Sequence, residues 1–124
     1  FGGASLIYPI MLSEGYHNRG ISLPRIAELV ALNPARSHGL FPRKGAIAIG
    51  ADADLAIIDL ETEKEVGTEE MNSAQDYTPF AGMRLKGWPT DTIVRGIPVM
   101  RNGIIVGQPG IGEYIKRPVK LHGH

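Results

Sequence analysis

The sequence contains no cysteine, which excludes disulfide bonds and thiol chemistry and fits a reducing compartment such as the cytoplasm. It has no excess of either charge, because 13 basic side chains balance 13 acidic ones. We therefore expect neither nucleic acid nor an anionic membrane as a partner. Long apolar runs are also missing: stretches such as Leu55–Ile58 are far shorter than the roughly 20 residues of a membrane span. No basic segment precedes an apolar stretch, so no secretion signal is predicted.

Glycine and proline are abundant, with 16 and nine residues among 124, which indicates short elements joined by many turns. The pattern is helical before Gly45. Ser22 is predicted to cap a helix that has Pro24 in its first turn. The apolar residues that follow recur with the spacing of one helix face: Leu23, Ile26, Ala27, Val30 and Ala31.

Two further helical pieces are predicted around this helix. Asn33-Pro34 should interrupt it, since a residue before proline avoids the helical region of backbone space. A second short helix, Pro34–His38, is expected to end at Gly39 in the left-handed conformation. Upstream, Pro9–Glu14 is predicted as a helix that Gly15 ends.

After Gly45 the pattern is that of short strands. Asn102-Gly103 is the strongest hairpin indication, because a type I′ turn needs positive φ at both central residues. The charged stretch Glu61–Glu70 is predicted to be a solvated loop or an edge strand. The predicted strands are Ala46–Ile49, Asp54–Leu60, Thr92–Arg95, Ile97–Arg101 and Ile104–Val106. Residues 108–124 are predicted to form an arm outside the core.

Residues that might carry chemistry are few and scattered. His17 and His38 are far apart and predicted to be surface or helix-end histidines rather than metal ligands. The pair His122/His124 has ligand-like spacing but lies in the terminal tail. Turn formation explains the aspartates Asp52, Asp54 and Asp59 better than paired acid–base catalysis does. No catalytic and no metal-binding residue is therefore predicted in this chain.

Several motifs resemble the cyclic amidohydrolases. Those shared across that superfamily are Asn33-Pro34-Ala35-Arg36, the stretch Gly39–Gly45 and Gly50-Ala51-Asp52-Ala53-Asp54-Leu55. The hydantoinase/dihydropyrimidinase type is resembled more closely by three further stretches: Ser73–Met83, Lys86-Gly87-Trp88-Pro89 and Gly107–Arg117. The resemblance covers nearly the whole chain, from about Pro9 to Arg117.

The resemblance implies an α/β parent protein, a (β/α)8 barrel (TIM barrel) with a small β-sandwich built from both chain termini. Residues 1–45 would be the helical end of the barrel domain. Residues 46–107 would be the C-terminal share of the sandwich, and residues 108–124 the arm. Because the resembling enzymes are commonly tetramers, we expect the arm to contact either the barrel or a neighbouring subunit of a homotetramer.

The resemblance also implies a metal-dependent hydrolase that opens cyclic amides of the hydantoin or dihydropyrimidine class. Two divalent metal ions, expected to be zinc, would polarise the ring carbonyl and supply an attacking hydroxide. Their ligands would all lie upstream of this chain, so the chain alone should be inactive. Gly2 and Gly3 follow the last barrel strand in this scheme. They would let the backbone approach a ring substrate, or they would simply form a flexible turn into the helix.

Two alternatives from other classes stay open. One is a non-catalytic scaffold of the same fold that lacks the metal ligands. A His-x-His pair and a lysine suited to carboxylation in the upstream sequence would favour the enzyme over this scaffold. The other is an independent β-domain that binds a protein partner, which predicts that the isolated chain folds and stays monodisperse.

Overall fold

The computed structural model describes residues 3–69 and 74–117. Two helical segments come first and a four-stranded antiparallel sheet follows. None of the helices in these residues combines the length and the apolarity that crossing a bilayer demands.

The first helix is longer than predicted. A 3₁₀ turn, Ala4–Leu6, leads into α1 (Ile7–Ile10), which continues without a break as the π-helical stretch Met11–His17. The prediction that Gly15 ends this helix is wrong. Gly15 is buried inside the helix, where a β-carbon would make an ordinary contact of 3.5 Å with Ile21 Cδ1. Gly20, with φ of +68°, follows the helix instead.

The second helix begins as predicted. Ser22 Oγ accepts a hydrogen bond from Arg25 N over 3.3 Å, and the helix runs as α2 (Leu23–Ala27), a π-helical stretch (Glu28–Leu32) and α3 (Asn33–Ser37). The predicted break at Asn33-Pro34 is wrong, because Asn33 keeps helical angles. In a regular α-helix the proline ring would meet the carbonyl of the residue four positions earlier, and that residue lies in the wider π-helical turn.

Gly39 ends the second helix in the left-handed conformation, with φ of +69°, as predicted. Gly39 N donates to Arg36 O over 3.1 Å and Leu40 N donates to Ala35 O over 2.8 Å. This pair of hydrogen bonds is the Schellman arrangement, which satisfies carbonyls left free at a helix end.

The sheet is a simple meander in the order β1-β2-β3-β4. Its strands are β1 (Leu55–Glu65), β2 (Arg84–Val94), β3 (Ile97–Arg101) and β4 (Ile104–Ile105). Since β1 lies at the sheet edge, the edge-strand prediction for the start of the glutamate-rich stretch is confirmed. The Asn102-Gly103 hairpin is confirmed too, with φ of +48° and +75° and Arg101 opposite Ile104.

Two strand predictions need correction. β2 starts at Arg84 rather than Thr92. Gly87 and Pro89 argue against a strand in the sequence, so its first part is not predicted. Pro89 lies beside a register shift, where a strand tolerates the missing N–H. Ala46–Ile49 is not a strand: Ile47 is 91% exposed, and these residues pair with no other strand among the described ones. A strand needs a partner for its backbone groups, and alternating sequence alone cannot supply one.

The core lies between the first helix and the sheet. Its buried cluster comprises Leu6, Val66, Leu85 and Trp88, with Ile10 and Phe80 packed against it. Gly87 lets the helix approach closely, because a β-carbon there would lie only 2.7 Å from Leu12 Cβ. Lys86 N also donates to the buried Ser13 Oγ over 3.0 Å. This contact fixes the first helix on the sheet.

Candidate functional site

The second helix does not close on the sheet. An open groove of about 830 Å³ separates it from β1. Its lining is mostly apolar and comes from both sides: Leu23, Ile26, Ala27, Ala31 and Leu32 from the helix, and Leu55, Ala56, Ile58 and Leu60 from β1. A large apolar patch on a protein surface marks a binding site or an interface.

An ion cluster lies along one end of the groove. Lys44 Nζ lies 2.9 Å from Asp52 Oδ2 and also pairs with Asp54, while Arg43 Nε donates to Asp52 over 2.9 Å. Asp54 Oδ1 accepts from Arg95 N, 2.9 Å away, at the turn between β2 and β3. The cluster thus closes the base of loop 45–51 and ties it to the sheet.

The charges in the cluster favour the ionised forms. Hydrogen bonds from Lys44 and then Arg43 lower the pKa of Asp52. Burial alone would raise the pKa of Asp54, but hydrogen bonds from Lys44 and Arg95 N outweigh burial and leave that pKa lowered. Burial would lower the pKa of Lys44, and its hydrogen bonds to Asp54 and Asp52 raise it overall.

Two carboxylates held ionised around a lysine do not form an acid–base pair, which needs one group protonated at working pH. The preference for turn formation over catalysis at Asp52 and Asp54 is thus supported by their contacts. Lys44, the centre of the cluster, was missed from sequence. The adjacent bases Arg43-Lys44, placed before a glycine-bounded loop and two aspartates, were the available indication.

Asp59 stands apart from that cluster. It accepts hydrogen bonds from Glu61 N over 2.9 Å and from Thr62 Oγ1 over 2.8 Å, and these lower its pKa. It therefore organises an irregular stretch of β1, where the register with β2 shifts.

The histidines do not converge. Half-buried His17 ends the first helix, and its Nε2 lies 2.8 Å from Leu60 O, which links that helix to β1. His38 is the C-cap of α3, as the helix-end prediction required. His122 and His124 lie outside the described residues. Within residues 3–69 and 74–117, no group of three or more histidines, aspartates or glutamates is arranged to hold a metal ion.

The predicted substrate contacts lie at the start of the chain. Gly2 falls outside the described residues. Gly3 precedes the first 3₁₀ turn, where its carbonyl accepts a hydrogen bond from Leu6 N over 3.0 Å. Its carbonyl thus has a role in the turn, and contact with a ring substrate stays a prediction.

The first part of the arm folds back towards the second helix. Arg95 Nη2 donates to Ile111 O and lies 3.8 Å from Glu113 Oε1. Arg117 Nη1 donates to His38 O over 2.8 Å, at the end of α3. Tyr114 is 91% exposed beside these anchors. Two hydrogen bonds, from Arg95 to a carbonyl of the arm and from Arg117 of the arm to the carbonyl of His38, therefore fasten the arm and leave Tyr114 in solvent.

Comparison with known proteins gives this architecture a family. The model of the amidohydrolase family matches residues 4–99, more than half of the chain. The chain belongs to the amidohydrolase family.

Several hydantoinases and allantoinases are similar to this amidohydrolase chain. D-hydantoinase from Geobacillus stearothermophilus is 44% identical over 108 residues, which are 87% of this chain and 23% of that protein. L-hydantoinase from Paenarthrobacter aurescens is 36% identical over 93% of this chain and 25% of its own length. Allantoinase from Rubrobacter xylanophilus is 37% identical over 98% of this chain and 26% of its own length. The chain therefore spans about a quarter of each of these relatives.

Solved structures agree with the sequence matches. A crystal structure of D-hydantoinase superposes with a TM-score of 0.85 at 40% identity, over 90% of this chain and 24% of that one. Dihydropyrimidinase from Brevibacillus agri superposes with a TM-score of 0.84 at 36% identity, over 89% of this chain and 24% of that one. The helices and the meander are thus arranged as in the corresponding quarter of these enzymes.

Proposed function

We propose that this chain is the C-terminal structural part of a metal-dependent hydrolase that opens cyclic amides of the hydantoin or dihydropyrimidine class. The observation that carries the proposal is the similarity of almost the whole chain to proteins named hydantoinase, at up to 44% identity. The role of this part would be to complete the barrel and the sandwich, with the boundaries expected from sequence at about residues 45 and 107.

The open groove supports a structural role. Its walls are apolar and its volume is large, yet none of the described segments covers it. Ile47 and Ile49 project from the neighbouring loop in full exposure. Since the relatives are about four times longer, the rest of the polypeptide would cover these surfaces.

The described residues do not fit the two metal ions that the family resemblance implies. No metal-binding group is present among them, and His17 is engaged with the carbonyl of Leu60. The metals, proposed to be zinc, would therefore be held by residues outside this chain. The substrate would approach this part only near Gly2 and Gly3, through backbone groups.

The arm is proposed to reach a subunit interface in a homotetramer. Hydrogen bonds from Arg95 and Arg117 anchor the arm on either side of Tyr114, and an aromatic side chain that is 91% exposed is a typical interface residue. A cytoplasmic location is proposed on the absence of cysteine. Shortening the full-length protein to end at Val106 should lower its sedimentation coefficient if the arm joins subunits, whereas an unchanged oligomer would refute that role.

Activity assays on the full-length protein test the enzyme proposal. We expect hydrolysis of hydantoin or dihydrouracil, loss of that activity with a chelator, and its return with added zinc. Allantoin belongs in the same assay, because allantoinases are among the similar proteins. A full-length protein that stays inert towards all three rings with metal supplied would favour the non-catalytic scaffold.

The chain expressed alone should show no metal-dependent amidase activity. The reason is the lack of converging ligands within its described residues. Stoichiometric zinc binding together with amide hydrolysis that His17→Ala or His38→Ala abolishes would contradict this expectation.

A further inference from the structure

The Asn102-Gly103 turn has a chemical property that the proposed hydrolase function does not use. In any Asn-Gly pair, the glycine amide nitrogen can attack the carbonyl carbon of the asparagine carboxamide, because glycine presents no side chain to hinder it. The new N–C bond closes a succinimide ring, the bond from that carbon to the carboxamide nitrogen breaks, and the nitrogen leaves as ammonia. Water then opens the ring to aspartate or isoaspartate.

The other three asparagines are poorer candidates. Asn18 precedes Arg19 and Asn72 precedes Ser73, so the following side chain hinders the attacking nitrogen. Asn33 precedes Pro34, which has no N–H to lose. The reaction is therefore expected at residue 102 first.

In the folded hairpin the attacking nitrogen is already hydrogen-bonded. Gly103 N donates a hydrogen bond over 2.9 Å to Thr90 O, which lies on strand β2. Attack requires this nitrogen to lose its proton and turn towards the Asn102 side chain, and the hydrogen bond opposes both. Asn102 N is held as well, by Asp91 Oδ1 at 3.3 Å.

The hairpin is nevertheless easy to open. Strand β4 has only two residues, and Ile104 and Ile105 are 67% and 62% exposed. An edge with so little buried apolar surface opens locally at a low free-energy cost, well below that of global unfolding. Each opening releases Gly103 N from Thr90 O.

We propose that Asn102 is a site of spontaneous deamidation gated by the hydrogen bond from Gly103 N to Thr90 O. The closed hairpin suppresses the reaction and local opening permits it. The loss of ammonia makes the change one-way, and isoaspartate adds a backbone carbon that a two-residue turn does not accommodate.

Incubation of the full-length protein at mildly alkaline pH tests the proposal, with conversion at residue 102 followed by peptide mass spectrometry. We expect conversion at least roughly ten-fold slower in the native protein than in urea, the protection that a modest opening free energy gives. Asp91→Ala should speed conversion in the native protein and leave the rate in urea unchanged. Asn102→Gly keeps a turn that accepts positive φ and should show no conversion there.

Three results would overturn the proposal. Equal rates in native buffer and in urea would show that the hydrogen bond gives no protection. Conversion at Asn18, Asn33 or Asn72 before Asn102 would place the labile site elsewhere. An unchanged native rate in Asp91→Ala would show that anchoring the turn does not control the reaction.

Discussion

The two helices of this chain face the same sheet in different ways. The first helix is sealed against it, with Leu6 and Leu85 almost fully buried and Leu12 pressed against Gly87. The second helix stands off from β1 across an apolar groove of about 830 Å³. The first helix is packed directly on the sheet, whereas the apolar groove between the second helix and β1 is filled by none of the described residues. The difference supports the proposal that further polypeptide covers the groove.

The residue types on the two surfaces account for this difference. At the sealed contact a glycine removes the side chain that would keep helix and strand apart, and a buried serine satisfies a backbone N–H. At the groove, ion pairs instead close the base of the neighbouring loop, with Lys44 between Asp52 and Asp54.

The sharpest test of this comparison removes one apolar side chain from each surface of the full-length protein. Leu85→Ala should cost about 3 kcal/mol of unfolding free energy, because the side chain is fully buried and leaves a cavity. Ile58→Ala in the groove should cost about 2 kcal/mol if the rest of the polypeptide covers it, and under about 1 kcal/mol if the groove stays open. Denaturant titration measures both.

The matched control for this pair is Glu63→Ala. Glu63 lies on the same strand as Ile58 but in its exposed, charged part, 3.6 Å from Arg84. It should change stability by no more than about 0.5 kcal/mol. A Leu85→Ala effect as small as that of the control would show that the first helix is not sealed on the sheet.

The next test probes the close approach at Gly87. Gly87→Ala should cost about 2 kcal/mol or more, because φ is +101° and the new β-carbon would lie 2.7 Å from Leu12 Cβ. Gly50→Ala is the control, since Gly50 has a similar φ of +90° but open space around it. The thermal midpoint should fall further in Gly87→Ala than in Gly50→Ala, and the difference measures the effect of the close contact with Leu12. Equal shifts would contradict the tight fit.

Local backbone chemistry was predictable from the sequence. Ser22 begins a helix, Gly39 ends one and Asn102-Gly103 turns a hairpin, and each depends on neighbours within a few residues. The charge of the glutamate-rich stretch predicted a solvated loop or an edge strand, and its first residues lie in the edge strand β1.

Features that depend on distant partners were not predictable in the same way. Gly15 is predicted to end a helix but lies buried inside it, and Gly87, predicted only as part of a motif, allows the close contact between the first helix and the sheet. The Arg95-Gly96 turn has positive φ at both residues, although arginine gives no sequence indication of it. Ala46–Ile49 alternates like a strand but has no partner among the described residues. In the candidate site, Lys44 pairs with Asp52 and Asp54 because the fold of loop 45–51 brings them together, and the sequence gives no direct indication of this contact.

A smaller loss of stability is expected at the hairpin, which lies outside both helix contacts and therefore shows how much a substitution at the sheet edge costs by itself. Gly103→Val should destabilise the sheet by about 1 kcal/mol or somewhat more, because a β-branched residue resists the φ of +75°. Gly103→Asn is the control, since asparagine tolerates that region. A melting midpoint of the valine variant that matches the wild type would contradict the turn geometry.

The smallest effect is expected at the ion cluster that borders the groove. The folded-state pKa values of Asp52 and Asp54 are lowered, so the cluster stabilises the fold above the unfolded carboxyl pKa of about 3.9. That stability is lost as the pH falls through the folded values. Because the pKa of Lys44 is raised, its share is lost only as the pH rises through that raised value.

Asp54→Asn keeps an acceptor for Arg95 N and removes the charge that pairs with Lys44. We expect a loss of at most about 1 kcal/mol near neutral pH, a flatter acid limb of the stability profile and less effect in high salt. Asp59→Asn makes the same charge change at a carboxylate that, among the described residues, accepts its hydrogen bonds from its own strand. If the cluster holds the groove open, hydrogen exchange in loop 45–51 rises in the first variant and not in the second. Equal exchange in the two would mean that the loop keeps its shape without the ion pairs, and the groove would then owe its form to the helix and β1 alone.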